Sequence, residues 1–181
     1  MAAGDGLVSM KPTSIAAGVG TASINADGGV DFTAVTELSL NGVFTSDHDN
    51  YFCQVFYTVT INDVSFTFRL RVGGSDNSTA SSYTSQSLNA FSTTRSGGRS
   101  SGTSGQIGVS GTSQGNARAM HFYGPALAQP TAVRFVSVSG ESVGIGENAV
   151  THNQSTAYDG FTLFLGSGTM TGNVHVFGYE E

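Results

Sequence analysis

Apolar and polar residues alternate with a period of two along most of this chain, and no stretch repeats every 3.6 residues. The clearest run spans 64–72. There Val64, Phe66, Phe68, Leu70 and Val72 share one face, and Ser65, Thr67, Arg69 and Arg71 the other, the pattern of a half-buried strand. The run before it places Tyr51, Cys53, Val55, Tyr57, Val59 and Ile61 together. Asn62 and Asp63 between the two runs suit a tight turn, which predicts a long hairpin over 51–72. A second hairpin is predicted over 21–35, turning at Ala26, Asp27, Gly28 and Gly29, followed by a short strand over 36–44 that ends near Asn41 and Gly42. Further strands are expected at 82–91, 117–123 and 131–138, with a closing pair in 158–181 around a Ser/Gly turn. Nine or ten short strands without a helix predict an all-β chain, an antiparallel, jelly-roll-like β-sandwich. Its domain is expected to span 19–181. Residues 1–18, with Pro12 and small side chains, read as an N-terminal arm, either disordered or ordered by docking on a partner.

The closing strands carry apolar residues on both faces. Phe161, Leu163 and Leu165 line one side of the first, with Phe164 opposite. In the second, Val174 and Val176 alternate with His175, Phe177 and Tyr179. If the valines face the core, Phe164, Phe177 and Tyr179 form a candidate subunit interface, set against the plainer reading that both faces are core. The segment 95–116 is low in complexity and nearly repeats SGTSGQ as SGTSQG. It reads as a long loop or a poorly packed edge hairpin, with a binding loop as the sharper alternative. Tyr83, Phe91 and Tyr158 are the candidate aromatics of a surface-binding loop.

Composition narrows the function. Of 181 residues, 11% are charged and 25 are Gly, with a formal net charge of −6. Lys11 is the one lysine and the six arginines are scattered, so the clustered cations of a nucleic-acid surface are missing. No apolar run is long enough to span a membrane as a helix, and MAAGDGLVSMKPTS lacks the basic head and apolar run of a signal peptide. Cys53 is alone, so no disulfide forms within the chain, and its inward position reads as a small buried hydrophobe.

Candidate chemistry is sparse. Gly111 to Gly115 matches G-x-S-x-G, but in Ser/Gly low complexity with no helix predicted after it. Gly144 to Ala149 matches G-x-G-x-x-A without the strand–helix context that cradles a phosphate. His48, His121, His152 and His175 are too dispersed for a local zinc pair, and His121 and His175 read as structural. Asp47, Asp49 and Asn50 offer oxygens for calcium, but lack the rest of an EF-hand loop and equally suit a turn. The sequons at Asn77 and Asn153 read as inert. No catalytic residue, metal ligand or cofactor site is singled out.

Four stretches, ASINADGGVDFTAVTELSLNGVFTSDHDNY (22–51), FRLRVGGSDNS (68–78), ALAQPT (126–131) and YDGFTLFLGSGTMTGNVHVFGY (158–179), resemble small virion-associated proteins of tailed bacteriophages, including marine and cyanobacterial ones. The likeness covers nearly the whole chain and is weakest over 79–125. It implies a non-enzymatic β-sandwich on the virion surface that decorates or cements the capsid, with the major capsid protein or other virion proteins as partners and a homo-oligomer, a trimer, as its state. The alternative is a receptor-binding tip of a head or tail fibre that reads host surface glycans. A depolymerase with paired carboxylates is a distant third.

Overall fold

The computed structural model describes residues 6–112, 115–139 and 144–180. They hold sixteen strands and no helix: β1 (Leu7–Ser9), β2 (Ser14–Ala17), β3 (Thr21–Ile24), β4 (Val30–Val35), β5 (Glu37–Asn41), β6 (Asn50–Val59), β7 (Val64–Val72), β8 (Ser75–Asp76), β9 (Tyr83–Phe91), β10 (Thr94–Gly102), β11 (Gly105–Ser110), β12 (Asn116–Tyr123), β13 (Thr131–Ser139), β14 (Gly144–His152), β15 (Gly160–Leu165) and β16 (Met170–Tyr179). Two antiparallel sheets result. The large one runs β10-β9-β14-β13-β12-β6-β16-β4-β3, with β1 also on β16; the small one runs β11-β7-β15-β5-β2, with β8 on β7. The chain is therefore an antiparallel β-sandwich, as the alternation predicts.

Two expected hairpins are crossovers instead. β6 lies in the large sheet between β12 and β16, and β7 in the small sheet between β11 and β15. The residues after Val59 carry the chain across the core, with Asp63 in the left-handed region at φ 54°. The closing pair behaves alike, since β15 belongs to the small sheet and β16 to the large one. Alternation reads the same in both arrangements. In a hairpin the apolar faces lie side by side; here they meet face to face, with the Tyr57 and Phe66 rings 4.6 Å apart. The hairpin over 21–35 forms as expected, closed by the Asn25 amide donating to the Gly29 carbonyl at 2.7 Å.

Residues 7–17 are not a free arm. β1 pairs Leu7 with Tyr179 and Ser9 with Phe177, and β2 pairs Ile15 with Leu40, so the segment adds a strand to each sheet. Residues 1–5 lie outside the described residues.

Inward positions of both sheets form one core, in which Phe44, Tyr51, Phe68, Phe122 and Phe161 meet through centroid distances of 4.8 to 5.8 Å. Cys53 is buried there, and desolvation pushes its thiol pKa up. Toward β9 the inward positions turn polar. Ser85, Ser137, Ser139 and Asn148 are buried there, and so is Arg118, paired in register with Ser137. The Arg118 guanidinium donates to the carbonyls of Val138 (2.6 Å) and Val109 (2.8 Å) and lies over the Tyr57 and Phe66 rings.

Candidate docking face

The outer face of the large sheet is the unusual surface of this molecule. Register places its outward side chains in rows, because directly paired residues share a face. One row runs Ala90, Ile145, Val138, Ala117, Phe56 and Asn173; the next Leu88, Glu147, Val136, Ala119, Gln54 and His175; a third Gln86, Ala149, Arg134, His121, Phe52 and Phe177. A solvated sheet face should be polar. Here Leu88 is 62% exposed, Ile145 59%, Phe56 53%, Val136 49% and Val138 42%. Arg134 and Glu147 pair at 2.5 Å, an exposed ion pair within this apolar field.

The half of the face on β12, β6 and β16 is aromatic. His121 lies 4.9 Å from the Phe52 ring, and its ring is nearly parallel to those of Tyr123 (16°) and Tyr179 (18°). A hydrogen bond of 2.8 Å joins Tyr179 Oη to His121 Nδ1. Burial, with a smaller contribution from the Arg134 charge, lowers the His121 pKa below its ordinary value, so the ring is neutral at pH 7. Phe177 stacks beside Phe52 at 6.3 Å. His175 is held by the β3–β4 turn, 3.6 Å from the Asp27 carboxylate.

The opposite outer face, on the small sheet, is a polar network. Arg71 donates to Asn41 Oδ1 (3.0 Å), Ser39 Oγ (3.0 Å) and Thr162 Oγ1 (2.7 Å) and pairs with Asp76; Thr162 donates to Asp76 Oδ1 at 2.6 Å. Asp159 accepts from the Gly73 amide (2.9 Å), and Asn77 donates to the Tyr158 hydroxyl (2.8 Å). Gly73 and Gly74 take positive φ of 58° and 79° in the turn that brings Asp76 back over Arg71. Segments 39–41, 71–77 and 158–162 thus meet in one hydrogen-bonded network, in which Asp159 Oδ1 alone of the named groups is buried without a partner among the described residues.

The structure relocates the expected site residues. Phe164 lies on the small sheet under the Arg69 guanidinium (4.8 Å), while Phe177 and Tyr179 lie on the large sheet, so the three do not form one surface. Tyr83 and Tyr158 are 0% and 2% exposed and are not surface-loop aromatics. Their hydroxyls are tied inside, Tyr83 donating to the Asn77 carbonyl (2.9 Å) and Tyr158 hydrogen-bonded to His152 Nε2 (2.6 Å). Phe91 packs on Gly144, where a Cβ would come within 2.1 Å of its ring. The Asp47 turn is pinned by Tyr51, whose hydroxyl accepts from the Thr45 amide (2.8 Å) and donates to the Thr45 carbonyl (2.6 Å). No three His, Cys, Asp or Glu among the described residues are grouped to hold a metal.

Most of the described Ser/Gly segment is edge strand, nearer the edge-hairpin reading than the loop: β10, paired with β9, edges the large sheet and β11 the small one. Ser113 of the G-x-S-x-G match lies outside the described residues, and Gly144 to Ala149 is the first part of strand β14, with no helix after it. Sequence reasoning missed Phe52, Phe56, Leu88, Tyr123, Val136, Val138 and Ile145. The signal was there as apolar residues out of phase with their own strand, such as Phe52 and Phe56 among the inward Tyr51, Cys53, Val55 and Tyr57.

No protein-family model matches the chain, and no curated protein does. Among solved structures, it is similar to the SPRY domain of human HERC1 (12% identity, 87% of this chain and 92% of that one, TM-score 0.39). It is also similar to Caenorhabditis elegans galectin LEC-6 (12%, 86% and 94%, 0.35) and to the C-terminal CBM6 of LamC from Zobellia galactanivorans (9%, 96% and 97%, 0.31). At these scores the likenesses add nothing to what the two sheets already state about the fold.

Proposed function

We propose that this protein is a non-enzymatic structural component of a tailed-phage virion that decorates or cements the outer capsid surface, docking through the outer face of its large sheet. The observation that carries the reading is that face itself. Phe56, Val136, Val138 and Ile145 stand out of the sheet together, and a contiguous apolar field on a folded domain marks a protein contact. Many modest contacts of this kind, one per copy, hold a lattice by avidity. The likeness of the sequence to virion-surface proteins supplies the partner, and homotrimers are the expected assembly. The test is capsid co-sedimentation of the protein beside its Phe56→Ser/Val138→Ser variant. Binding of the parent in hundreds of copies per capsid, lost in the folded variant, supports the reading. Equal binding of both, or none by the parent, removes it.

A second reading is a glycan-binding fibre tip, favoured by the near-parallel His121, Tyr123 and Tyr179 rings. Flat aromatic surfaces suit the apolar faces of sugar rings, and Gln54, Asn50 and Arg134 supply polar groups nearby. Binding to purified host polysaccharide that is lost in Tyr123→Ala, at about a dozen copies per virion, would favour this reading over the first.

A further inference from the structure

The chain has seven cationic side chains, and most are engaged. Arg69 donates to the Thr103 carbonyl, Arg71 and Arg134 pair with carboxylates, and Arg118 is buried on carbonyls. Arg95 and Arg99 have no acceptor among the described residues. Both lie on β10, the edge strand of the large sheet, in a protein whose net charge is −6. Register puts them on the outer face: Arg95 opposite Ala90, Arg99 opposite Gln86, and Gly97 between them opposite Leu88. Gly97 has no side chain to cover Leu88, which at 62% is the most exposed large hydrophobic among the described residues. Arg95, Leu88, Ala90, Val136, Ile145 and Glu147 border a trough of about 320 Å³ there. β10 is nine residues long, without Pro, and nothing among the described residues pairs with its free edge.

We infer that β10 receives an extended acidic segment of a partner protein as an added strand. Strand addition takes its affinity from main-chain hydrogen bonds and its selectivity from alternate side chains. An added strand would set every second side chain on the outer face. Positions beside Arg95 and Arg99 would carry carboxylates, and the position between them, beside Gly97, an apolar side chain that closes over Leu88. The recognised pattern is acidic-x-apolar-x-acidic, and charge complementarity makes the partner acidic. This chain offers that acidic spacing at Asp27 and Asp31 alone, with Gly29 in the middle and Asp31 already paired in the β3–β4 hairpin. The occupant is therefore a different protein and not a second copy. The inference shares the outer face with the capsid reading but not the residues that test it.

The experiment measures binding of the full chain to a labelled peptide, Thr-Glu-Thr-Leu-Thr-Glu-Thr, by fluorescence anisotropy at low salt. Binding is expected to weaken about tenfold or more in Arg95→Glu/Arg99→Glu, to weaken with added salt, and to vanish for the peptide with lysines in place of glutamates. Methylating alternate peptide nitrogens should abolish binding in one phase and spare it in the other, which separates strand addition from charge attraction. The Phe56→Ser/Val138→Ser variant should bind the peptide normally. An unbound peptide, or binding indifferent to both arginines, overturns the inference and leaves the arginines as guards against edge pairing. Self-association reversed by the arginine variant would also overturn it, by making the occupant another copy.

Discussion

Single residues inside the sandwich carry consequences that can be measured. His152 sits between Tyr83 (4.1 Å between ring centroids) and Tyr158, and burial pushes its pKa down to about 4. An unfolded histidine titrates at about 6.5. The folded state thus binds this proton less readily than the unfolded chain. Stability is full above pH ~6.5, falls as pH drops toward ~4, and levels off below, a loss of about 3 kcal/mol. Urea midpoints at pH 7.5, 5.5 and 4 should follow that slope, and His152→Gln should flatten it. Equal slopes in both proteins would contradict the assignment. Arg71 makes the complementary case on the small sheet. Arg71→Ala leaves Asp76 with only the more distant Arg69, at 4.0 Å, and removes the donor shared by Asn41, Ser39 and Thr162, which should cost about 2 kcal/mol. Arg71→Met/Asp76→Asn should recover part of that loss, read from the same denaturation curves. Neither role was legible beforehand. Arg71 looked like one polar residue of an alternating strand, and the Tyr83 and Tyr158 rings looked like loop aromatics. Alternation tells which face a residue occupies but not what a neighbouring element lays over that face.

At the scale of elements, the strands themselves were written plainly in the sequence. Inward residues of β6, β7 and β16 are the ones alternation selects, except that Val72, at the end of β7, runs past the core and is 42% exposed. Partnership was not legible, since side-by-side and face-to-face strands share one pattern. β14 escaped notice because its inward positions include Gly144, Gly146 and Asn148, which sit where the core turns polar and supply no apolar rhythm. The N-terminal segment escaped for a related reason: β1 and β2 are short edge additions whose stability comes from pairing and not from their own apolar content. Deleting residues 1–18 should therefore destabilise the fold itself. Seven strand residues lose their places, and the Tyr179 and Leu38 edges are exposed. A melting temperature lower by at least ~5 °C is expected, since 1 kcal/mol corresponds to about 2–4 °C at this size. An unchanged melt would mean that the segment contributes only contacts to partners.

For the whole molecule, the two outer faces divide the labour. The small sheet is closed by its own hydrogen bonds, while the large one presents apolar side chains to its surroundings. Substitutions on that exposed field should leave folding nearly untouched. Phe56→Ser/Val138→Ser is expected to shift the unfolding free energy by less than ~1 kcal/mol while reducing concentration-dependent association in light scattering. A large loss of stability would instead mark Phe56 and Val138 as parts of the fold. The sequence announced a surface poor in charge but not its position, because Phe56, Val136 and Leu88 come together only when β6, β13 and β9 are set in one sheet.

The position of β16 has a kinetic consequence. It lies between β6 and β4, far from both in sequence, so the large sheet is two fragments until the last strand arrives. Other neighbours are also well separated in sequence, β9 from β14, β12 from β6, and β15 from both β5 and β7, because the chain changes sheets between many of its strands. Such a topology closes long loops before it is rewarded, and folding on a scale of milliseconds to seconds follows. During that interval the edges of β6 and β4 are open to other chains. Stopped-flow refolding should be slow and should lose yield as concentration rises, and a chain cut before Met170 should fail to reach the native state.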